Sequence, residues 1–357
     1  MATEMLRNIA ELSPLEEAAL DEAPIELEFE EPTDDAEIII LDAGIEVDVP
    51  EFDDNLAKFM EDGELEKLGS DLASSFEADN MSREDWEQSY IKGLDLLGLK
   101  AEERTSPWPG ACGVFHPLLT EAVVRFQSQT ITEVFPAGGP VRTTILGKET
   151  KDKVHQAERV QTELNYQLTE VMSEYRPEME QLLFHLPLAG SAFKKVYFDP
   201  SLGRGCAMFV PAEDFVVSYG ASDLMTCPRY THVMKKNKND VRKLQVAGFY
   251  RDVDLPSPSP DFSKIQDKIN ALDGSMEVED DERLTLLEMH VDLDLPGFED
   301  LDGECCPTGI ELPYVVTLNK GSGEILSIYR NCKEEDSLKL KRQHFVHYQY
   351  LPGLGFY

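Results

Sequence analysis

The stretch Leu182–Phe198, LLFHLPLAGSAFKKVYF, changes character part-way along. Through His185 its apolar residues continue a helical pattern that starts upstream. From Phe193 the period switches to two, and the aromatic and β-branched content is that of a strand. Gly190-Ser191 separates the two halves and reads as a turn. Almost everything upstream of this point has helical spacing, and almost everything downstream reads as strands. Helices first and strands later make the chain α+β, with helical segments followed by a mostly antiparallel β region, and exclude an alternating βαβ design.

Working upstream, the helix leading into the switch spans Glu178–His185. Arg176-Pro177 should break it from a long helix, Glu149 to Tyr175, whose stripe is Val154, Val160, Leu164, Leu168 and Met172. Val141–Leu146 is rich in β-branched residues and predicts a strand. Before it, Pro117 suits the first turn of a helix with Leu119, Val123, Phe126, Thr130 and Val134 on one face, ended by Pro136–Pro140. The stripes of these two helices should pack together. Asp54–Leu99 is helical as well. Ser82 with Asp85 resembles a capping box. It would open a segment carrying Trp86, Tyr90, Ile91, Leu94 and Leu97, stopped at Gly98.

Downstream, strands are expected at Phe193–Phe198, Ala207–Val210, Phe215–Ser218, Leu284–Leu295, Tyr314–Leu318, Ile325–Tyr329 and Phe345–Tyr350. Lys320–Gly323 marks a turn. Asn239 can cap a short helix through Leu244 and Val246. A Pro/Ser linker, Ser257–Asp261, a polar helix and an acidic stretch, Glu277–Glu282, come before the later strands. The final residues, His347–Tyr357, are aromatic and glycine-rich, which reads as a chain cut inside a longer protein.

The formal net charge of −36 is unevenly spread: residues 1–80 hold 26 acidic and three basic residues. Residues 1–53 therefore read as an acidic, low-order tail, with 54–357 as the folded body. Within the tail, Ile25–Glu30 alternates like a strand and Ile38–Leu41 is a short apolar run; either could dock on a sheet edge. Such acidity argues against nonspecific adhesion to nucleic acid, though not against a surface that DNA slides past. No apolar run approaches the length of a membrane span.

Chemistry-bearing patterns are few. Gly147-Lys148-Glu149-Thr150 lacks the first glycine and the hydroxyl of a phosphate loop, and no G-x-S-x-G elbow occurs. None of the six cysteines forms a C-x-x-C pair. His290, Cys305, Cys306 and Cys332 are the tempting metal set, but adjacent thiols have the wrong spacing. His344 and His347 should point to opposite faces of a strand. Asp292 and Asp294 share a strand face and are expected to meet solvent. Two basic runs stand out, Lys235, Lys236, Lys238, Arg242 and Lys243, then Lys339, Lys341 and Arg342, and both read as solvated. No catalytic, cofactor-binding or metal-ligating residue is assigned.

Five segments carry a resemblance. They are Ala111–Val123 (ACGVFHPLLTEAV), the helix from Phe126-Gln127 to Pro136–Val141, Leu182–Tyr197, Val210–Phe215 (VPAEDF) and Phe345–Tyr348 (FVHY). In this order they resemble the long-chain portal proteins of short-tailed, double-stranded DNA bacteriophages, within residues 82–357. The resemblance implies a wing-like α+β body from the N-terminal half of such a portal, with stem and crown segments beyond it. It implies a structural virion protein and no enzyme or cofactor. Portal subunits form a ring of about twelve at one capsid vertex through heterologous interfaces. Implied partners are the terminase large subunit, major capsid and scaffolding proteins, tail or head-completion proteins, and the duplex DNA in the channel. The implied location is the virion, with the host cytoplasm during assembly. A head–tail connector or adaptor, or another virion structural protein, is the alternative.

Overall fold

The computed structural model describes residues 50–97, 108–111, 113, 116–199, 202–256, 264–273, 283–301, 306–336 and 338–351. The tail up to residue 49, the stop at Gly98, the Ser257–Asp261 linker and the Glu277–Glu282 stretch lie outside the described residues.

The fold is α+β, with two antiparallel sheets. Helices α1 (Asp62–Ser82), α2 (Glu84–Leu96), α3 (Leu118–Val134), α4 (Lys151–Tyr166) and α5 (Tyr175–Ala189) come first. Strands β1 (Ser191–Asp199), β2 (Arg204–Pro211), β3 (Phe215–Val217) and β4 (Arg229–Asn237) follow. Next are α6 (Lys238–Val246), α7 (Lys264–Asp273) and strands β5 (Arg283–Leu293), β6 (Leu312–Asn319), β7 (Ile325–Arg330) and β8 (Phe345–Gln349). The larger sheet runs β3-β4-β5-β6-β7 and the smaller β2-β1-β8.

Strand alternation sorts the larger sheet into two faces. Leu287 and Met289 of β5, with Val316 and Leu318 of β6, point at Leu65, Leu72 and Phe76 of α1. Burying each such side chain contributes roughly 1.5–3 kcal/mol, so this layer is a principal source of stability. On the other face, Leu284 and Leu286 lie under Val241 of α6 and Tyr250. The same face continues along β5 to Glu288 and His290, where the smaller sheet covers it.

Helix α1 approaches the β6–β7 turn closely at Gly69. A Cβ there would stand 2.1 Å from the Gly323 carbonyl oxygen. Gly69→Ala should therefore lower stability by about 1–3 kcal/mol, despite alanine's better helix propensity, because backbone must move to admit a methyl group. Urea unfolding checks this; a stabilised variant would mean that helix and turn separate at little cost.

Several expectations are corrected. Ser82 does not open a helix; it ends α1, its hydroxyl donating to the Asp79 carbonyl at 2.6 Å, and α2 begins without a side-chain cap. Val141–Leu146 is no strand. Its polar backbone is held along α4 by side chains: Val141 N–H donates to Asn165 Oδ1 at 2.9 Å, and Thr143 Oγ1 donates to the Ala157 carbonyl at 3.1 Å. The long helix stops early, passing through a π turn at Gln167–Val171. The expected break between the two helices occurs, but at residues 172–174, upstream of Arg176-Pro177; Pro177 sits in the first turn of α5, where an N–H has no helical acceptor to lose. Helix α5 continues past His185 to Ala189, and left-handed Gly190 (φ 87°) stops it. Ser191 already belongs to β1 rather than to a turn. Asn239 does not cap α6; Asn237 precedes the helix.

The expected packing of the helix after Pro117 on the helix from Glu149 is also overturned. Helix α3 packs on α5: Phe126, Ile131 and Val134 lie against Leu182, Leu183 and Leu186. Val123 is buried, but α4 buries none of its residues, and Leu164 is 43 % exposed. Strand β4 has no counterpart among the sequence expectations. Its imidazole and its lysines interrupt the apolar alternation that marks a strand.

Candidate functional site

The register of the larger sheet sets His232 of β4 beside Glu288 of β5, and Tyr230 beside His290. All four side chains face the smaller sheet. From that sheet Lys195 of β1 projects inward, and Phe345 of β8, its register partner, lies beside it. Lys195 Nζ stands 2.6 Å from Glu288 Oε1. The pair is buried, with side-chain exposures of 15 % and 11 %. It is an ion pair in a low-dielectric junction between two sheets, and hydrogen bonds must satisfy what the ion pair leaves over.

They do so in a chain. His290 Nε2 lies 3.2 Å from Glu288 Oε1, and an ionised carboxylate can only accept, so Nε2 carries the hydrogen. His290 Nδ1, the acceptor in that tautomer, receives Asn331 Nδ2 at 3.4 Å. Asn331 Oδ1 in turn accepts from His344 Nε2 at 2.9 Å. Every contact is satisfied with Glu288 charged and both imidazoles neutral. His232 differs: its Nδ1 is buried with no hydrogen-bond partner among the described residues.

The titration behaviour follows from these surroundings. Burial alone would raise the Glu288 pKa, but the His290 hydrogen bond and the Lys195 charge hold it far below the usual carboxylate range. Burial depresses His290, and it lowers His232 and His344 to about 4. Tyr230 stacks on His290 with ring centroids 4.7 Å apart. Phe345 meets His232 and His290 edge to face, at 5.5 and 5.4 Å. The centre is thus walled by rings, and two surface clefts lie elsewhere, one along α1 and the Lys320–Gly323 turn, the other beside α6. Chemically the arrangement can hold one buried charge pair and fix two sheets in register.

The neighbouring lysine points the other way. Lys194 is 2 % exposed, with Nζ 3.8 Å from the Tyr175 ring centroid and no hydrogen-bond acceptor among the described residues. Burial pulls its pKa to about 8. A third feature surrounds Ala212–Asp214. Arg83 donates to the carbonyls of Ala212, Glu213 and Phe215 at 3.0, 2.8 and 3.2 Å. Burial and the neighbouring Asp214 push Glu213 up to about 7.

The residues weighed in the sequence scatter. His290 and Cys332 are both buried, Cys306 is exposed, and Cys305 lies outside the described residues. No cluster of three His, Cys, Asp or Glu placed to hold a metal ion occurs among the described residues. His344 and His347 do point apart: His344 joins the Asn331 chain, whereas His347 bonds Ser191 at 3.0 Å and stacks on Phe193. Asp292 is not solvated as expected but pairs with Lys341 at 3.2 Å, while Asp294 is exposed. Of the basic runs, Lys341 is consumed by that pair, and Lys235 and Lys236 are half-buried on β4. Lys238, Arg242 and Lys243 are exposed on α6. Sequence reasoning missed Lys195, Glu288 and His232. Its available signal was a carboxylate inside the apolar run Leu284–Val291, where an unpaired charge would be costly.

No protein-family model matches the chain, and no curated protein matches it.

Proposed function

We propose that this chain is the wing-like part of a portal subunit of a tailed double-stranded DNA bacteriophage. In this reading the whole protein assembles a ring at one capsid vertex. The ring docks the terminase, passes DNA during packaging and ejection, and joins head to tail. The observation that carries it concerns three of the segments that resemble portals. Two of them adjoin through the β1–β2 hairpin and the third lies far along the chain, yet all three meet in one aromatic stack. Phe193 stacks on Phe215 at 4.0 Å, Phe215 lies 4.9 Å from Phe345, and Phe193 stacks on His347 at 4.8 Å. A shared spatial unit supports reading these three segments as one pattern rather than as three coincidences. The reading assigns no hydrolytic step to this subunit, and its acidic balance suits a surface that DNA passes without being gripped.

Electron microscopy of the protein expressed from its whole reading frame tests the proposal. Closed rings of about twelve subunits, joined head to tail, are the expected result. A stable monomer or a twofold dimer under every assembly condition overturns it.

A further inference from the structure

Helix α4 and the strand-like coil before it form an arm with an unusual balance. All sixteen helical residues remain at least partly exposed. The coil lies along the helix, with Asn165 both accepting from the Val141 N–H at 2.9 Å and donating to its carbonyl at 3.2 Å. An isolated helix of this length is marginal in water, so this one needs a surface to lie on. Leu146 is 89 % exposed, and Val160 and Leu164, one turn apart on one face, are 44 % and 43 % exposed.

Charge says which surface. The arm, residues 141–166, carries five basic and four acidic side chains, slightly positive in a strongly negative chain. Residues 61–96, which include α1 and α2, carry eleven acidic and three basic ones. Glu61, Glu64, Glu66, Asp71, Glu77 and Asp85 among them are exposed. We propose that the 141–166 arm of one copy docks on the acidic α1–α2 surface of a second copy of this chain. Complementary potentials of this kind set register and suppress wrong partners. Exposed leucine and valine beside the charges fit a protein surface better than a phosphate backbone. Made in one direction only, such a contact is heterologous and repeats head to tail. The inference rests on the self-association proposed above and names the surfaces that perform it.

The test places a photo-reactive benzoylphenylalanine at Leu164 of the whole protein and mixes isotopically light and heavy chains. Mixed-isotope adducts to peptides within 61–96 are expected. The triple variant Lys151→Glu, Lys153→Glu, Arg159→Glu should reduce their yield about fivefold or more, because like charges then face each other. Adducts confined within single chains, adducts to residues 1–49 or to other peptides, or loss of adducts on adding duplex DNA would each overturn the inference. Rings by microscopy with adducts elsewhere sink this contact alone. Mixed adducts at α1–α2 without rings sink the portal reading and leave the contact standing.

Discussion

Replacing Glu288 with alanine should lower the unfolding free energy by about 3–5 kcal/mol, the usual cost of stranding one member of a buried ion pair. Lys195 would be left where the sheets join, with its side chain only 15 % exposed and its acceptor gone. His290 would lose the acceptor of its Nε2–H as well. A second variant separates charge from packing. In Lys195→Met with Glu288→Leu the stranded cation disappears, but the imidazole N–H stays unpartnered at a cost of about 1–3 kcal/mol. The double variant should therefore recover part, though not all, of the loss. Urea midpoints at pH 7 measure both. A double variant no more stable than Glu288→Ala would show that the junction depends on side-chain shape and not on the charge pair.

Acid should loosen the same junction. His232 and His344 have folded pKa values near 4, below the unfolded value of about 6.5. Between those values the unfolded chain binds more protons, so stability falls as pH drops from about 6.5 to 4. For buried His232 the shift corresponds to about 3 kcal/mol. Glu288, depressed in the fold, acts in the same direction once pH falls below the ordinary carboxylate range. Glu213, raised to about 7, acts the opposite way: its contribution is present at acid pH and lost as pH rises toward 7. Asp214, also raised by burial, opposes the fall too. In this window His232, His344 and the likewise depressed His290 oppose Glu213 and Asp214, and a net fall is the expected result. His232→Phe should flatten the decline between pH 6.5 and 4 without abolishing it. Equal pH slopes in parent and variant would show that His232 is not the group whose protonation the fold resists.

The architecture was legible wherever local pattern and tertiary environment agreed. Seven of the eight strands among the described residues were anticipated, with ends shifted by a few residues, because aromatic and β-branched runs there are bounded by turns. Strand β4 was hidden because one of its faces carries Tyr230, His232 and Met234, the middle one a polar ring buried in a junction. The α4 stripe was legible as a helix, but its neighbour was not. Periodicity tells which face is apolar and is silent on what covers it, so the expected α3–α4 contact gave way to α3–α5. Lys195 and Glu288 were illegible as a pair because 93 residues separate them; Glu288 stood out only as a carboxylate in an apolar run, and nothing local names its partner. The Ser82 and Asn239 caps failed for a local reason: a good capping residue recurs by chance in a polar chain, and the helix start is set by what packs behind it.

Strand β1 has two hydrogen-bonded neighbours made at very different times. Its hairpin partner β2 leaves the ribosome almost at once, whereas Ser191 pairs with Gln349 and Lys195 with Phe345, about 150 residues later. Until then the β8 side of β1 presents open amides and carbonyls next to Phe193 and Lys195, an edge of the kind that recruits stray strands. Closing so long a loop adds only slowly to the entropy cost, so the delay is one of waiting rather than of final stability. The nascent chain is thus most vulnerable to mispairing between the emergence of β1 and that of β8, and a chaperone acting in that interval would raise the yield of folded protein without altering its unfolding midpoint.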